Sequence, residues 1–131
     1  MRNHYEVPVI SSAGAASFTI NSTANVASHS FKVKYGERFS LIIDTESSGV
    51  VDLDIYIYQS NVLPAAEGTI DSNWVIPENI SKLSDITATG RIITAYSPVV
   101  YDYALVYVDG QGSNDASTAV TIVAQMIEVI S

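Results

Sequence analysis

Residues 51–60 read VDLDIYIYQS, and their alternation decides the fold class. Val51, Leu53, Ile55 and Ile57 fall on one side of an extended chain, and Asp52, Asp54, Tyr56 and Tyr58 on the other. A period of two held over eight residues is the pattern of a half-buried strand. One face is core. The other lines up two carboxylates and two phenols, and it is a ligand site, a contact surface or a solvated sheet.

Working outward, the same period recurs. SFTI (17–20) is short; SFKVKY (30–35) puts Phe31, Val33 and Tyr35 on one face and Lys32 and Lys34 on the other. RFSLIID (38–44) aligns Phe39, Leu41 and Ile43, and RIITAY (91–96) follows a glycine. STAVTIVAQMIEVI (117–130) is rich in β-branched residues and suits one long strand. YGER (35–38) reads as a tight turn, and ESSG (46–49) and DGQGSND (109–115) read as hairpin loops. Residues 61–90 hold two prolines, a lone tryptophan and little alternation. They read as a long connection with one short strand near Trp74 and a helical turn in ENISKLSDI. Strands at this spacing predict a single antiparallel β-sandwich, jelly-roll or immunoglobulin-like, over residues 17–131. Residues 1–16 are expected to form an N-terminal arm or edge strand.

YDYALVYV (101–108) is apolar on both faces: Tyr101, Tyr103, Leu105 and Tyr107 oppose Asp102, Ala104, Val106 and Val108. Such a strand is either central and covered on both sides, or it lies at an interface. Tyrosine is enriched at contact cores.

The chain has 131 residues, a length that fits one domain with a core of its own. It is 47% hydrophobic and 15% charged, against about a quarter charged in an ordinary soluble domain. A partner covering apolar surface is therefore expected. Cysteine is absent, which excludes disulfides, thiolate metal sites and cysteine nucleophiles. MRNHYEVPVI lacks the apolar stretch of a secretory signal, and no apolar run approaches the ~18 residues of a bilayer span. The expectation is a soluble protein not exported by that route, with no membrane partner.

Net charge is −8, unevenly placed. Residues 1–38 hold Arg2, Lys32, Lys34 and Arg38 against Glu6 and Glu37, a balance of +2; residues 39–131 hold Lys82 and Arg91 against twelve acids, a balance of −10. An acidic body argues against nucleic acid, whose binders need a basic footprint. The acidity keeps an apolar chain soluble; the basic segment offers a docking point for an acidic partner or a second copy.

Signals for chemistry are sparse. His4 and His29 have no carboxylate or second histidine at ligand spacing. No serine sits in a G-x-S-x-G elbow, and no glycine-rich phosphate loop is present. Asp52 and Asp54 project from one strand face about 7 Å apart, a spacing compatible with glycosidase carboxylates. DGQGSND offers Asp109, Asn114 and Asp115 as calcium ligands, but its sixth position is Asn114 where a calcium loop needs glycine, and its twelfth is Val120 where it needs glutamate. No catalytic residue, cofactor or metal site is assigned, and a binding or structural module is expected in place of an enzyme.

The order DLDIYIYQSN (52–61), DSNW (71–74), ITATGRI (86–92), YDYALVYVDG (101–110) and STAVTIVAQ (117–125) resembles small β-sandwich proteins of tailed-phage virions, the head decoration, head fibre and accessory capsid or tail proteins. The resemblance spans about residues 38–126. It departs from the family pattern in the nine residues Val62 to Ile70, inserted ahead of DSNW, and in Leu105, where the family has arginine. GERFSLIID (36–44) with DLDIYIYQS is similar to the C-terminal β-sandwich of secreted bacterial proteases. The first resemblance implies a non-enzymatic capsid decoration or auxiliary head protein, assembled into the virion in the host cytoplasm. Its partners would be the major capsid protein or other virion proteins, together with further copies of itself. The contact residues expected on that reading are Arg2, His4 and Tyr5 in the N-terminal segment and Tyr101, Tyr103 and Tyr107. The alternative is a carbohydrate- or calcium-binding sandwich, using Asp52, Asp54, Tyr56 and Tyr58 for sugar or Asp109 and Asp115 for metal.

Overall fold

The alternation of apolar residues becomes two sheets facing each other across one core. The computed structural model describes residues 2–33, 39–76, 83–96 and 101–129, with the backbone alone at 2–4, 95–96 and 127–129. Its strands are β1 (Arg2–Val9), β2 (Ser17–Thr19), β3 (Asn25–Ala27), β4 (Phe31–Lys32), β5 (Phe39–Glu46), β6 (Leu53–Ser60), β7 (Ser84–Ile86), β8 (Gly90–Tyr96), β9 (Tyr103–Gly110) and β10 (Ala119–Val129). The first sheet runs β1-β10-β5-β8, with β2 also on β10; the second runs β3-β9-β6-β7, with β4 also on β9. Every strand pairing is antiparallel. The chain is an all-β antiparallel sandwich.

The opening stretch forms the heart of the second sheet. Leu53, Ile55 and Ile57 of β6 are buried at 1% exposure or less. On β9, Ala104, Val106 and Val108 face the same core. Leu41 and Ile43 of β5 and Val120, Ile122 and Ala124 of β10 meet them from the first sheet. Each large side chain so buried contributes about 1.5–3 kcal/mol. Phe31 and Phe39 close one end edge-to-face, with ring centroids 5.9 Å apart at 84°.

Four elements differ from the reading of the sequence. ESSG and DGQGSND were expected to close hairpins, but each carries the chain from one sheet to the other, β5 to β6 and β9 to β10. Turn residues mark a reversal without saying which sheet the next strand joins. The two crossings run together: Ser48 N–H donates to Ser117 Oγ at 2.9 Å, and Asp115 N–H donates to Val50 O at 3.0 Å. The 61–90 connection holds its short β pairing at Val75, bridged to Gln59, and a second strand, β7, on the far edge of β6. The tail of ENISKLSDI is thus extended at Ser84–Ile86, and residues 77–82 lie outside the described residues. The YGER turn lies outside them too. β3 carried no sequence signal because three residues, NVA, are too few to show a period.

The N-terminal segment is an edge strand. β1 pairs with β10 over eight residues, from Arg2↔Val129 to Val9↔Ile122. The turn after it is closed by Ser11 N–H to Ala15 O at 2.8 Å. His29 N–H donates to Ile10 O at 2.7 Å, which ties the end of β1 to the second sheet.

Candidate functional site: a tyrosine groove and an apolar sheet face

β6 and β9 are register neighbours, with Tyr56 opposite Tyr107 and Tyr58 opposite Leu105. Their outward residues therefore share the outer face of the second sheet. Tyr107 sits between two phenols: its ring centroid is 6.2 Å from Tyr56 and 6.0 Å from Tyr58, the latter edge-to-face at 89°. The long connection folds back over this face. Trp74, Leu105 and Ala27 form a second small buried cluster, and Tyr58, Ile70, Tyr103 and Tyr107 pack against it. This resolves the apolar character of both faces of 101–108: β9 is a central strand, covered by the main core inside and in part by residues 61–76 outside.

Where the connection stops short of covering the sheet it leaves a groove of about 430 Å³, open to solvent and lined by Ser12, Asn25, Val26, Ala27, Tyr58, Gly68, Thr69, Ile70 and Tyr107. The wall is fixed in place. The Glu67 carboxylate accepts from Ser30 N–H at 2.7 Å and from Ser30 Oγ at 2.9 Å. Gly68 has φ +81°, and a Cβ there would stand 2.4 Å from Ser12 Cβ, so only glycine lets the connection lie so close to the 11–15 turn. Burial pushes the Tyr107 phenol above its ordinary range, reinforced by the charge of Asp109 and then by Tyr58 and Tyr56. The ring stays neutral and keeps its O–H donor at physiological pH.

The acids expected beside the tyrosines are placed elsewhere. Asp54 is 7% exposed and is the middle of a cross-strand row, opposite Asp109 on β9 and Asp85 on β7. Asp52 stands at the end of β6, its carboxylate next to Gly112. Neither lines this groove, so Asp52 and Asp54 do not face each other across it as glycosidase carboxylates would.

The 109–115 loop spends its side chains on neighbouring side chains and on the backbone of Ser22, Asp52 and Ser117. Asp109 accepts from Gln111 Nε2 at 2.8 Å. Asn114 Oδ1 accepts from Asp52 N–H at 2.7 Å, and its Nδ2 donates to Ser22 O and Asp52 O. Asp115 Oδ1 accepts from Ser117 Oγ at 2.6 Å and from Ser117 N–H at 2.9 Å. The Ser117 hydroxyl and then the Ser117 amide hold that carboxyl below its ordinary range, against an opposing effect of burial and with a lesser contribution from the Ser48 hydroxyl. Among the described residues no three His, Cys, Asp or Glu come together as a metal-holding group.

The expected contact residues spread over the molecule. Tyr5 is 46% exposed on β1. Arg2 and His4 lie on the same strand, where only the backbone is described. Tyr101, Tyr103 and Tyr107 are half-buried, and Tyr101 N–H donates to Gln59 Oε1 at 3.1 Å.

A second surface emerges from the register of the first sheet. On its outer face Pro8 lies opposite Val123, Val123 opposite Ile42, and Ile42 opposite Ile93. An apolar row thus crosses all four strands, and Ile93 is 64% exposed. The polar rows on either side bond within themselves. Ser40 Oγ donates to Gln125 Oε1 at 3.2 Å, and Gln125 Nε2 donates to Glu6 Oε1 at 3.4 Å. Across the other flank Arg91 grips Asp44 with two bonds, at 2.7 and 3.1 Å. The Arg91 hydrogen bond lowers the Asp44 carboxyl from its usual range.

Fold and surfaces together define the class: an antiparallel β-sandwich with an open tyrosine groove on one sheet and an apolar row on the other. No family model matches the chain, and no curated protein matches its sequence. Among solved structures it is similar to the carbohydrate-binding module CBM36, solved in complex with calcium and xylotriose. The identity is 10% over 96% of this chain and 99% of that one, with a TM-score of 0.40.

Of the groove residues, sequence reasoning named only Tyr58 and Tyr107, and it missed the rest, among them Ser12, Asn25, Gly68, Thr69 and Ile70. They come from a turn, a three-residue strand and the long connection, none of which carries periodicity. The apolar row was half visible: Ile42 and Val123 stand out of phase with the core residues beside them. Only the register puts them side by side.

Proposed function

We propose that the chain is a non-enzymatic structural protein of a tailed-phage virion, a capsid decoration or auxiliary head protein that docks on the assembled lattice through the outer face of its first sheet. The observation that carries this reading is the Pro8–Val123–Ile42–Ile93 row, an apolar strip flanked by polar rows bonded within themselves. A fully buried apolar centre inside a polar rim is the anatomy of a protein contact. The resemblance of residues 38–126 to virion sandwiches supplies the partner, the major capsid protein or a neighbouring virion protein. A passive role is supported by the groove, whose described lining holds no carboxylate, histidine or cysteine. Such a protein stabilises the particle by mass action, because it binds the assembled lattice and not its free subunits. Symmetric self-association would cover further apolar surface.

The test is sedimentation of the purified chain with particles stripped of it. Wild type pellets with the particles, and Ile93→Asp, which keeps the wild-type melting temperature because the site is exposed, stays in the supernatant. Equal pelleting of the two proteins would remove the first sheet from the account.

A further inference from the structure

The tyrosine groove lies on the opposite sheet from the proposed docking face, and nothing in the docking reading uses it. Its lining combines two aromatic rings with three short polar side chains, those of Ser12, Asn25 and Thr69. None of these three side chains, and neither phenol, has a hydrogen-bond partner within the protein among the described residues. Asn25 and Thr69 are exposed at the rim, while Tyr58 and Tyr107 are half-buried at the base. The walls are held before any ligand arrives, by Glu67 on Ser30 and by Gly68 against Ser12. A preformed cleft of aromatic base and amide or hydroxyl rim needs little ordering on binding.

We propose that this groove binds an uncharged oligosaccharide. A pyranose ring has an apolar C–H face and a hydroxyl edge, and the groove offers the counterpart of each. The tyrosine rings meet the C–H face, and the Asn25 amide, the Ser12 and Thr69 hydroxyls and the phenol O–H groups meet the hydroxyls. The ligand is neutral because the lining holds no cation to pair an acidic sugar, and the same sheet face carries Asp54, Asp85 and Asp109. It is a chain of sugars because the groove is open to solvent and admits an extended ligand. Binding is without cleavage, since no carboxylate lines the groove. The two-faced arrangement would leave the groove outward when the first sheet docks, although glycan binding does not depend on that docking.

Isothermal titration of the full chain with cellohexaose, xylohexaose, maltohexaose and N-acetylchitohexaose, and with hexagalacturonate as the acidic control, tests the proposal. At least one neutral probe binds with millimolar or tighter affinity, and hexagalacturonate binds more weakly than that probe. Asn25→Ala and Thr69→Ala, both at exposed positions that leave the fold intact, each weaken binding, Asn25→Ala by about tenfold as expected for one lost hydrogen bond. Tyr107→Ala abolishes binding, and Tyr107→Phe, which keeps the ring, restores most of it. Failure of all four neutral probes overturns the proposal. So does tighter binding of hexagalacturonate, or binding that neither rim variant changes.

Discussion

Asn114 is 4% exposed and spends its side-chain amide on backbone groups: the Asp52 N–H, the Asp52 carbonyl and the Ser22 carbonyl. In the sequence it was one of three oxygen-bearing residues, with Asp109 and Asp115, in a loop that departs from the calcium pattern at Asn114 itself. Its amide instead ties three chain segments together at one end of the sandwich. An alanine there leaves the part-buried Asp52 N–H without its acceptor and takes one donor from the Ser22 and Asp52 carbonyls, of which Asp52 keeps the Gln111 N–H; a buried group left unpaired costs about 1–3 kcal/mol. Asn114→Ala should lower the unfolding free energy by about 1–3 kcal/mol on that scale, read by urea denaturation with an unchanged m-value. A change below about 0.5 kcal/mol, the range of an ordinary surface substitution, would show the tie to be dispensable. Residue identity alone cannot separate a metal ligand from a backbone clamp, since the same oxygen serves both. What separates them is where the neighbouring carboxylates point, and in this loop Asp109 and Asp115 bond to Gln111 and Ser117.

At the scale of elements, the long strands and their inward faces were legible, while the three-residue strands β3 and β7 and the connections were not. Val51, Leu53, Ile55 and Ile57 are buried as their alternation requires, and the run 117–130 contains one eleven-residue strand. Alternation works because a buried sheet face permits no slip of one residue. The groove escaped because its wall is residues 61–76, held by single contacts in place of a repeating pattern. Glu67 on Ser30 is one such contact, spanning 37 positions in sequence, and both partners are accessible. Glu67→Ala should therefore leave the melting temperature nearly unchanged while amide exchange rises across residues 66–76 only. Hydrogen-exchange mass spectrometry reads this directly. Uniform protection in the variant would mean that Gly68 and Trp74 hold the wall without help from Glu67. The crossings at 46–49 and 109–115 illustrate the same limit: turn chemistry was legible, but the choice of sheet depends on which core the next strand completes.

For the whole molecule, the two proposals fall on opposite faces. The first sheet turns outward an apolar row that the described residues leave exposed at Pro8 and Ile93, and the second turns outward tyrosines that its own connection partly covers. The low charge fraction of the sequence pointed to covered apolar surface without locating it. The register shows an apolar strip on β1, β10, β5 and β8 that a partner could cover. On the virion reading the chain belongs to a repeating lattice, so its abundance should follow that of the lattice protein. Quantitative mass spectrometry of purified particles is the most direct test. The chain is expected in many copies per particle, at a fixed ratio to the major capsid protein that survives gradient purification; its absence from such particles would contradict a role in the virion.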